Sequence, residues 1–221
     1  MKYELLVFDL DGTILDTLDD LTDSVNYALK KHGYPTRTKE EIRSFVGDGL
    51  LMLVRRAIAP ETDEVVIQTV LATQKAYYKD HCADKTKPYE GIVELLRDLK
   101  AEGYKLAVVS NKADYAVQIL GEQYFPGIFH MMVGEKENVR KKPAPDSVYA
   151  VLDELQVEKQ DAVYIGDSEV DIETAKNAGL NAVLVTWGFR DAGFLREKGA
   201  KTLVNNVNEL KSALTNETFL L

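Results

Sequence analysis

A short apolar run near the start of the chain, Leu5–Phe8, is followed by two carboxylates, Asp9 and Asp11, and then by Gly12. In a β-strand, side chains two residues apart point to the same face. Both carboxylates can therefore converge on one small volume where the strand ends. Like charges at such close range raise each other's pKa values unless a cation holds them. The segment indicates either an active site at a strand end or a simple Asp-Gly turn.

Further apolar runs rich in β-branched residues alternate with amphipathic stretches along the chain. The runs predicted as strands are Leu5–Phe8, Leu106–Val109, Met131–Val133, Ala162–Ile165, Ala182–Val185 and the weaker Thr202–Val204. The stretches predicted as helices are Ile92–Lys100, Tyr115–Gln123, Ser147–Leu155 and Ile172–Ala178. Continuously apolar strands that alternate with helices are typical of a doubly wound, mostly parallel α/β sheet.

One long segment interrupts this alternation. From about residue 16 to residue 84, every clear apolar pattern has helical spacing. Connections between a strand and the next element usually have only a handful of residues. We therefore expect a helical subdomain, residues 16–85, inserted into a core made of residues 1–15 and 86–221.

Composition narrows the class of protein. The 221 residues, 45% of them hydrophobic, suffice for one sizeable core with a small attached domain. The net charge of −9, without a basic stripe, argues against nucleic acid as a partner. No run approaches the roughly 20 apolar residues of a membrane span. A single cysteine, Cys82, and an N-terminus unlike a signal peptide lead us to expect a cytoplasmic protein. We expect the protein to be a monomer or a homodimer.

Polar groups suited to a phosphate or a metal follow four of the predicted strands. They are Asp9 and Asp11 after the first, Ser110 and Asn111 after the second, Lys142 on the connection after the third, and Asp167 and Asp171 after the fourth. In an open parallel sheet, ligands bind beyond the carboxyl ends of the strands. Chance would scatter such groups over both ends of the strands, so their positions favour an active site over a turn.

Each of these residues also has a structural interpretation when it is taken alone. Ser110 could cap a helix, and Lys142 could be solvated in its proline-containing loop. Asp167 could cap the helix that follows it, and Asp171 could lie in the acidic first turn of that helix. Together these interpretations require four independent coincidences, so we prefer the active-site hypothesis.

The chain resembles the haloacid dehalogenase superfamily of phosphohydrolases over essentially its whole length. The matching segments are Asp9-Leu10-Asp11-Gly12-Thr13, Ser110-Asn111, Lys142-Pro143 and Gly166-Asp167-Ser168-Glu169-Val170-Asp171. The resemblance implies a Rossmann-like core, and the helical insert after the first segment resembles the four-helix cap of the family. Because a cap closes over its substrate and excludes water, we expect the partner to be a small phosphate ester.

The predicted chemistry is phosphoryl transfer through an aspartyl-phosphate, with Mg²⁺ as cofactor. Asp9 is predicted to be the nucleophile and a metal ligand. Asp11 is predicted to be the general acid and then the general base, with its backbone carbonyl on the metal. Asp167 completes the metal site, and Asp171 either binds a metal-bound water or supports Lys142. Asp11 favours phosphoryl transfer over dehalogenation, because the dehalogenases of the superfamily lack it.

The phosphate is predicted to bind to Ser110, to Asn111 with its neighbouring backbone N–H groups, and to Lys142. The compact charge of the Lys142 ammonium would also keep Asp9 ionised.

Within the superfamily, the segments 16–21 and 45–50 most resemble phosphoglycolate phosphatases. The substrate carboxylate would then require a cation or backbone N–H groups, and Arg43 and Gly47 are the candidates. A pyrophosphatase or a broad sugar- or nucleotide-phosphate phosphatase would use the same core residues, so these alternatives stay open.

Two further classes are disfavoured. A phosphoglucomutase of this superfamily needs a histidine soon after the first motif, and the segment 16–30 has none. A phospho-accepting signalling domain uses a similar acidic cluster, but such domains are usually shorter and carry the phosphoacceptor further along the chain.

Overall fold

A computed structural model of the protein describes residues 2–215. Within this range the strands are β1 (Leu5–Phe8), β2 (Leu15–Asp16), β3 (Lys87–Pro88), β4 (Lys105–Ala113), β5 (Met131–Glu135), β6 (Ala162–Gly166), β7 (Asn181–Val185) and β8 (Leu203–Val204). Six of them form one sheet in the order β5-β4-β1-β6-β7-β8, and every neighbouring pair in it is parallel. The chain winds outward from β1 in both directions, which confirms the predicted doubly wound fold.

Helices occupy most of the remaining chain in the same range. They are α1 (Leu18–Lys31), α2 (Lys39–Phe45), α3 (Leu50–Ala57), α4 (Glu64–His81), α5 (Ile92–Ala101), α6 (Asp114–Tyr124), α7 (Asp146–Leu155), α8 (Glu169–Ala178), α9 (Ala192–Glu197) and α10 (Val207–Thr215). None of them, in the part of the chain that the structure describes, is long and apolar enough to cross a membrane.

The central strand β1 is buried on both faces. Leu6 and Phe8 lie in a hydrophobic core with residues of α5, α6 and α10. Leu5 and Val7 lie in a second core with residues of α7 and α8. Alternate side chains of β1 thus pack against the two helical layers on opposite faces of the sheet, which explains why its sequence is a continuous apolar run.

The four helices between β2 and β3, residues 18–81, are called the helical segment below. Its helices pack on one another, with α1 against α4 and α2 against both α1 and α3. The chain enters the helical segment through β2 and leaves it through β3, and these two strands lie side by side as a short antiparallel ribbon. The carboxylate of Asp20 in α1 accepts the backbone N–H groups of Lys85 and Thr86, at 3.0 and 2.8 Å, and so ties the returning chain to the departing one. The division into a core and a cap stays a prediction.

The strand predicted over Leu106–Val109 is longer than its apolar run. β4 continues through Ser110 and Asn111 to Ala113, which pairs with Glu135 of β5. Ser110 and Asn111 therefore lie within a strand rather than after one, which corrects their predicted position.

Candidate active site

The site lies at the carboxyl end of β1, where the order of the sheet reverses. β1 pairs with β4 on one side and β6 on the other, and the Asp9 N–H donates to the carbonyl of Ile165 in β6 at 2.8 Å. One carboxylate oxygen from each of Asp9, Asp167 and Asp171 lies within 4.8 Å of the others, and all three residues are buried. The parallel register thus brings Asp9 next to two carboxylates that follow it in the chain by more than 150 residues.

The electrostatics of this cluster disfavour three simultaneous negative charges. Burial raises the pKa of Asp9 to about 6; the Lys142 ammonium opposes this rise, and the carboxylates of Asp171 and Asp11 add to it. Burial, followed by the charges of Asp171 and Asp9, raises the pKa of Asp167 well above its usual range. A bound cation would favour the charged forms of these carboxylates.

The donor atoms suit a hard divalent cation. Oδ1 of Asp9 is buried and lies 3.0 Å from Nζ of Lys142, as an ion pair without hydrogen-bond geometry. Asp167 is oriented by two contacts: its Oδ1 accepts the Thr13 hydroxyl at 3.1 Å, and its Oδ2 accepts the Phe189 N–H at 2.7 Å. A carboxylate oxygen has two lone pairs, so these contacts leave acceptor capacity for a metal. Carboxylate oxygens are the ligands that Mg²⁺ and Ca²⁺ prefer, so Asp9 and Asp167 could hold such a cation.

Asp171 is occupied by contacts with the protein. Its Oδ2 accepts the backbone N–H groups of Asp167 and Ser168, at 3.1 and 3.0 Å, and the Ser168 hydroxyl at 2.7 Å. Its Oδ1 accepts from Lys142 at 2.8 Å. A Cβ atom at position 166 would collide with the Asp171 carboxylate, which explains the glycine there. Of the two predicted roles, these contacts favour the support of Lys142.

The buried Lys142 ammonium binds three partners. Nζ lies 3.0 Å from Asp9 and 2.8 Å from Asp171, and it donates to the Tyr164 hydroxyl at 3.0 Å. Burial alone would lower the pKa of Lys142, but the charges of Asp171 and Asp9 outweigh it and raise the pKa well above the usual value. The side chain is therefore a permanent positive charge beside Asp9.

Ser110 and Asn111 both line the cavity next to these carboxylates, but they differ in what they can offer a ligand. Nδ2 of Asn111 donates to the carbonyls of Gly47 and Lys142, both at 3.0 Å, so both N–H donors of the amide are in use. The structure leaves the Ser110 hydroxyl, and not the Asn111 amide, as the donor available to a phosphate. The phosphate-binding role of Ser110 stays a prediction.

The structure separates the two predicted substrate residues of the helical segment. Gly47 lines the cavity, whereas Arg43 does not. The Arg43 guanidinium instead donates from Nε to the Phe189 carbonyl at 2.9 Å and from Nη2 to the Gly188 carbonyl at 3.0 Å. Arg43 thus joins α2 to the loop after β7, and its role in substrate binding stays a prediction.

Sequence reasoning missed Lys112, a buried lysine in β4. Its Nζ lies 2.8 Å from Oδ1 of Asp11 and donates to the Tyr78 hydroxyl of α4 at 2.5 Å. A lysine after Ser-Asn is usually solvated, so its place in the sequence does not indicate a buried position beside the site. The available signal was the spacing, because Lys112 is two residues from Ser110 and lies on the same face of a continued strand.

The cavity itself is small, about 40 Å³. Its lining combines residues of the sheet edge with apolar residues of the helical segment, among them Leu21, Val46, Leu50 and Leu53. A few water molecules would fill this volume.

Comparisons with known proteins identify a matching family and several similar proteins. The model of the haloacid dehalogenase-like hydrolase family matches residues 6–185. Phosphoglycolate phosphatase 1 of Pseudomonas aeruginosa is 31% identical over 213 residues, which covers 93% of this chain and 78% of that protein. The phosphoglycolate phosphatase of Colwellia psychrerythraea is 32% identical over 218 residues, which covers 96% of each. A crystal structure from Lactobacillus delbrueckii subsp. bulgaricus is 40% identical and superimposes with a TM-score of 0.94, covering 98% of this chain and 100% of the other.

Proposed function

The chain belongs to the haloacid dehalogenase-like hydrolase family, and from this premise we propose that it is a magnesium-dependent phosphoglycolate phosphatase. Its family and its relatives make it a phosphoric monoester hydrolase. The metal, the covalent intermediate and the particular ester are our proposal. The observation that carries it is the cluster of Asp9, Asp167 and Asp171 within 4.8 Å, with the Lys142 ammonium beside it.

In the first half of the reaction, Asp9 attacks the phosphorus atom of the ester. Lys142 lies at Oδ1 of Asp9, which leaves the other carboxylate oxygen to form the bond. The bond between phosphorus and the ester oxygen breaks, and Asp11, acting in its protonated form, donates its proton to the departing alkoxide. The Lys142 ammonium and the Ser110 hydroxyl stabilise the charge on the phosphoryl oxygens.

In the second half, water attacks the phosphorus atom of the aspartyl-phosphate. Asp11, which has lost its proton, accepts one from this water. The bond between phosphorus and Asp9 breaks, inorganic phosphate leaves, and both carboxyl groups return to their initial states. When bound to Asp9, Asp167 and the Asp11 carbonyl, Mg²⁺ supplies positive charge that offsets the negative charge of the phosphoryl group.

The ester is proposed from the relatives, since both curated proteins described above are named phosphoglycolate phosphatase.

A panel of phosphate esters tests the proposal. Phosphate release from phosphoglycolate, pyrophosphate, hexose phosphates and nucleoside monophosphates is measured in Mg²⁺ and in excess EDTA. We expect release only with Mg²⁺, and a kcat/KM for phosphoglycolate at least about tenfold above that for the other compounds. A higher value for pyrophosphate or a sugar phosphate would reassign the substrate, and no release from any compound would overturn the proposed function.

A further inference from the structure

Lys112 has a hydrogen-bond donor to spare beside the cavity. An ammonium group has three N–H donors, and among residues 2–215 it has two acceptors, Oδ1 of Asp11 at 2.8 Å and the Tyr78 hydroxyl at 2.5 Å. The ring of Tyr78 also lies near it, with 4.8 Å between Nζ and the ring centroid. These contacts fix the ammonium at the cavity wall and leave one N–H for an acceptor inside the cavity.

The neighbouring cations have no such freedom. Nζ of Lys142 is hydrogen-bonded to Asp171 and Tyr164 and forms an ion pair with Asp9 at 3.0 Å, so three protein groups surround it. Lys141 donates to the carbonyl of Asp48 at 2.7 Å and does not line the cavity. Among the cavity-lining residues in the described part of the chain, Lys112 is the one cationic side chain.

The short distance between Lys112 and Asp11 favours a leaving group in which the anionic group lies close to the ester oxygen. Asp11 must touch the ester oxygen in order to protonate it, and Lys112 lies 2.8 Å from Asp11. In glycolate a single methylene separates the ester oxygen from the carboxylate, so the carboxylate falls next to Lys112. An anionic group held further from Asp11 would find no second cationic side chain in the lining formed by the described residues, which includes the apolar Leu50 and Leu53.

Together these contacts point to a specificity residue that sequence reasoning placed elsewhere. We propose that Lys112 of β4 binds the carboxylate of a short, anionic leaving group, with Tyr78 of α4 holding the ammonium in place. This inference rests on the proposed function, and it names the group that would select phosphoglycolate over a neutral ester of the same size.

A merely structural role for Lys112 makes a different prediction. If Lys112 only oriented Asp11, its loss would slow the hydrolysis of every alkyl phosphate by a similar factor. If it also binds the carboxylate, its loss affects the anionic ester more than the neutral one. The informative quantity is therefore the ratio of kcat/KM for phosphoglycolate to kcat/KM for 2-hydroxyethyl phosphate, which replaces the carboxylate by an alcohol.

The experiment measures this ratio in the wild type and in Lys112→Met, Lys112→Arg and Lys141→Met. We expect a wild-type ratio of at least about 10, since the bond to the carboxylate is charge-assisted. Lys112→Met should lower the ratio about tenfold, chiefly through the KM for phosphoglycolate, and Lys112→Arg should restore part of it. Lys141→Met, which removes a neighbouring charge outside the cavity, should leave the ratio unchanged.

The outcomes separate this inference from the proposed function. Wild-type hydrolysis of both esters with a ratio near 1, or an equal loss for both esters in Lys112→Met, overturns the role of Lys112 and leaves the phosphatase intact. Absence of hydrolysis in the wild type overturns both. Should Lys112→Met fail to fold by circular dichroism, inhibition of the wild type decides: glycolate should compete with substrate, ethylene glycol should not, and equal inhibition by the two would contradict the inference.

Discussion

Asp9 and Asp11 are two residues apart in the chain, and their side chains have different electrostatic surroundings. Burial raises the pKa of Asp9 to about 6; the Lys142 ammonium opposes this rise, and the carboxylates of Asp171 and Asp11 add to it. Asp11 is paired with the buried Lys112 ammonium. In the absence of a bound metal, the negative charge of Asp9 therefore lowers the free energy of unfolding. The negative charge of Asp11 instead compensates the buried positive charge of Lys112.

Asparagine substitutions of this pair should change stability in opposite directions. In metal-free buffer at pH 7, Asp9→Asn should abolish turnover and raise the free energy of unfolding by about 1 kcal/mol. Asp11→Asn should lower it by about 1–3 kcal/mol, because Lys112 loses its carboxylate partner. Urea denaturation measures both.

The pH dependence gives a second measure of the same effect. The pKa of Asp9 rises from 3.8 in the unfolded chain to about 6 in the folded protein, so the folded protein binds the proton more tightly. The wild type should therefore lose stability relative to Asp9→Asn as the pH rises from about 4 to about 6. A stability difference that is constant over this range would contradict the electrostatic account.

The sequence was informative about the acidic residues and silent about the lysine that pairs with one of them. The positions of Asp9 and Asp167 follow from a local rule, because each comes directly after an apolar strand. The position of Lys112 depends on a non-local pairing, in which Ala113 at the end of β4 lies opposite Glu135 of β5. A short window of sequence does not show that the strand continues past Val109.

At the scale of elements, two arginines join the helical segment to the loop after β7 reciprocally. Arg43 of α2 donates to the carbonyls of Gly188 and Phe189. Arg190 donates in the other direction, to the carbonyls of Arg43 and Val46 at 3.0 and 2.9 Å, and it is held by Glu169 at 2.9 Å. The same loop donates the Phe189 N–H to Asp167, so one loop both contacts the helical segment and orients a predicted metal ligand.

The small volume of the cavity suggests how the contacts of Arg43 and Arg190 affect the entry of a substrate. Because about 40 Å³ admits only a few waters, we expect the helical segment to move away from the sheet edge when a phosphate ester enters. The arginine contacts would then break on entry and form again on closure. Neither Arg43 nor Arg190 carries a sequence signal for this role, since each uses backbone carbonyls that only the fold brings near.

Weakening this contact should impair every substrate alike. Arg190→Gln removes the bonds to Arg43 and Val46, so the closed form becomes less populated and kcat/KM should fall about tenfold for charged and neutral esters. Arg55→Gln is the matched control, because Arg55 pairs with Glu64 inside the helical segment at 2.8 Å and should leave kcat/KM unchanged. Steady-state kinetics measure both, and a wild-type kcat/KM in Arg190→Gln would show that the contact does not govern closure.

For the whole molecule, the sheet was the part most open to prediction. Alternating apolar runs and amphipathic stretches predict the fold class, and β1 has the predicted bounds, Leu5–Phe8. The paired ribbon of β2 and β3 was not predicted, because two residues per strand carry no periodicity. How closely the helical segment approaches the sheet edge also depends on contacts between distant parts of the chain, such as those of Arg190.

A cation at the carboxylate cluster should stabilise the entire fold. A ligand at 100 times its Kd adds about 2.7 kcal/mol to the free energy of unfolding, which corresponds to a rise in Tm of about 5–10 °C for a chain of this length. Thermal unfolding of the wild type in Mg²⁺ and in EDTA should show this shift. Asp167→Asn should abolish it, and Asp153→Asn, which removes an exposed carboxylate on α7, should retain it; equal Tm values in Mg²⁺ and EDTA for the wild type would argue against a metal at this site.

The ribbon of β2 and β3 lets the chain leave the sheet and return to it at one point. Topologically, the four helices are then one long insertion between two neighbouring strands. Doubling the length of such a connection adds only about 0.6 kcal/mol to the entropic cost of closing it. Helices could be added, exchanged or lost there over evolutionary time without any strand of the sheet changing its neighbour. The helical segment that covers the reacting atoms can therefore diversify, while the sheet that carries them keeps its strand order.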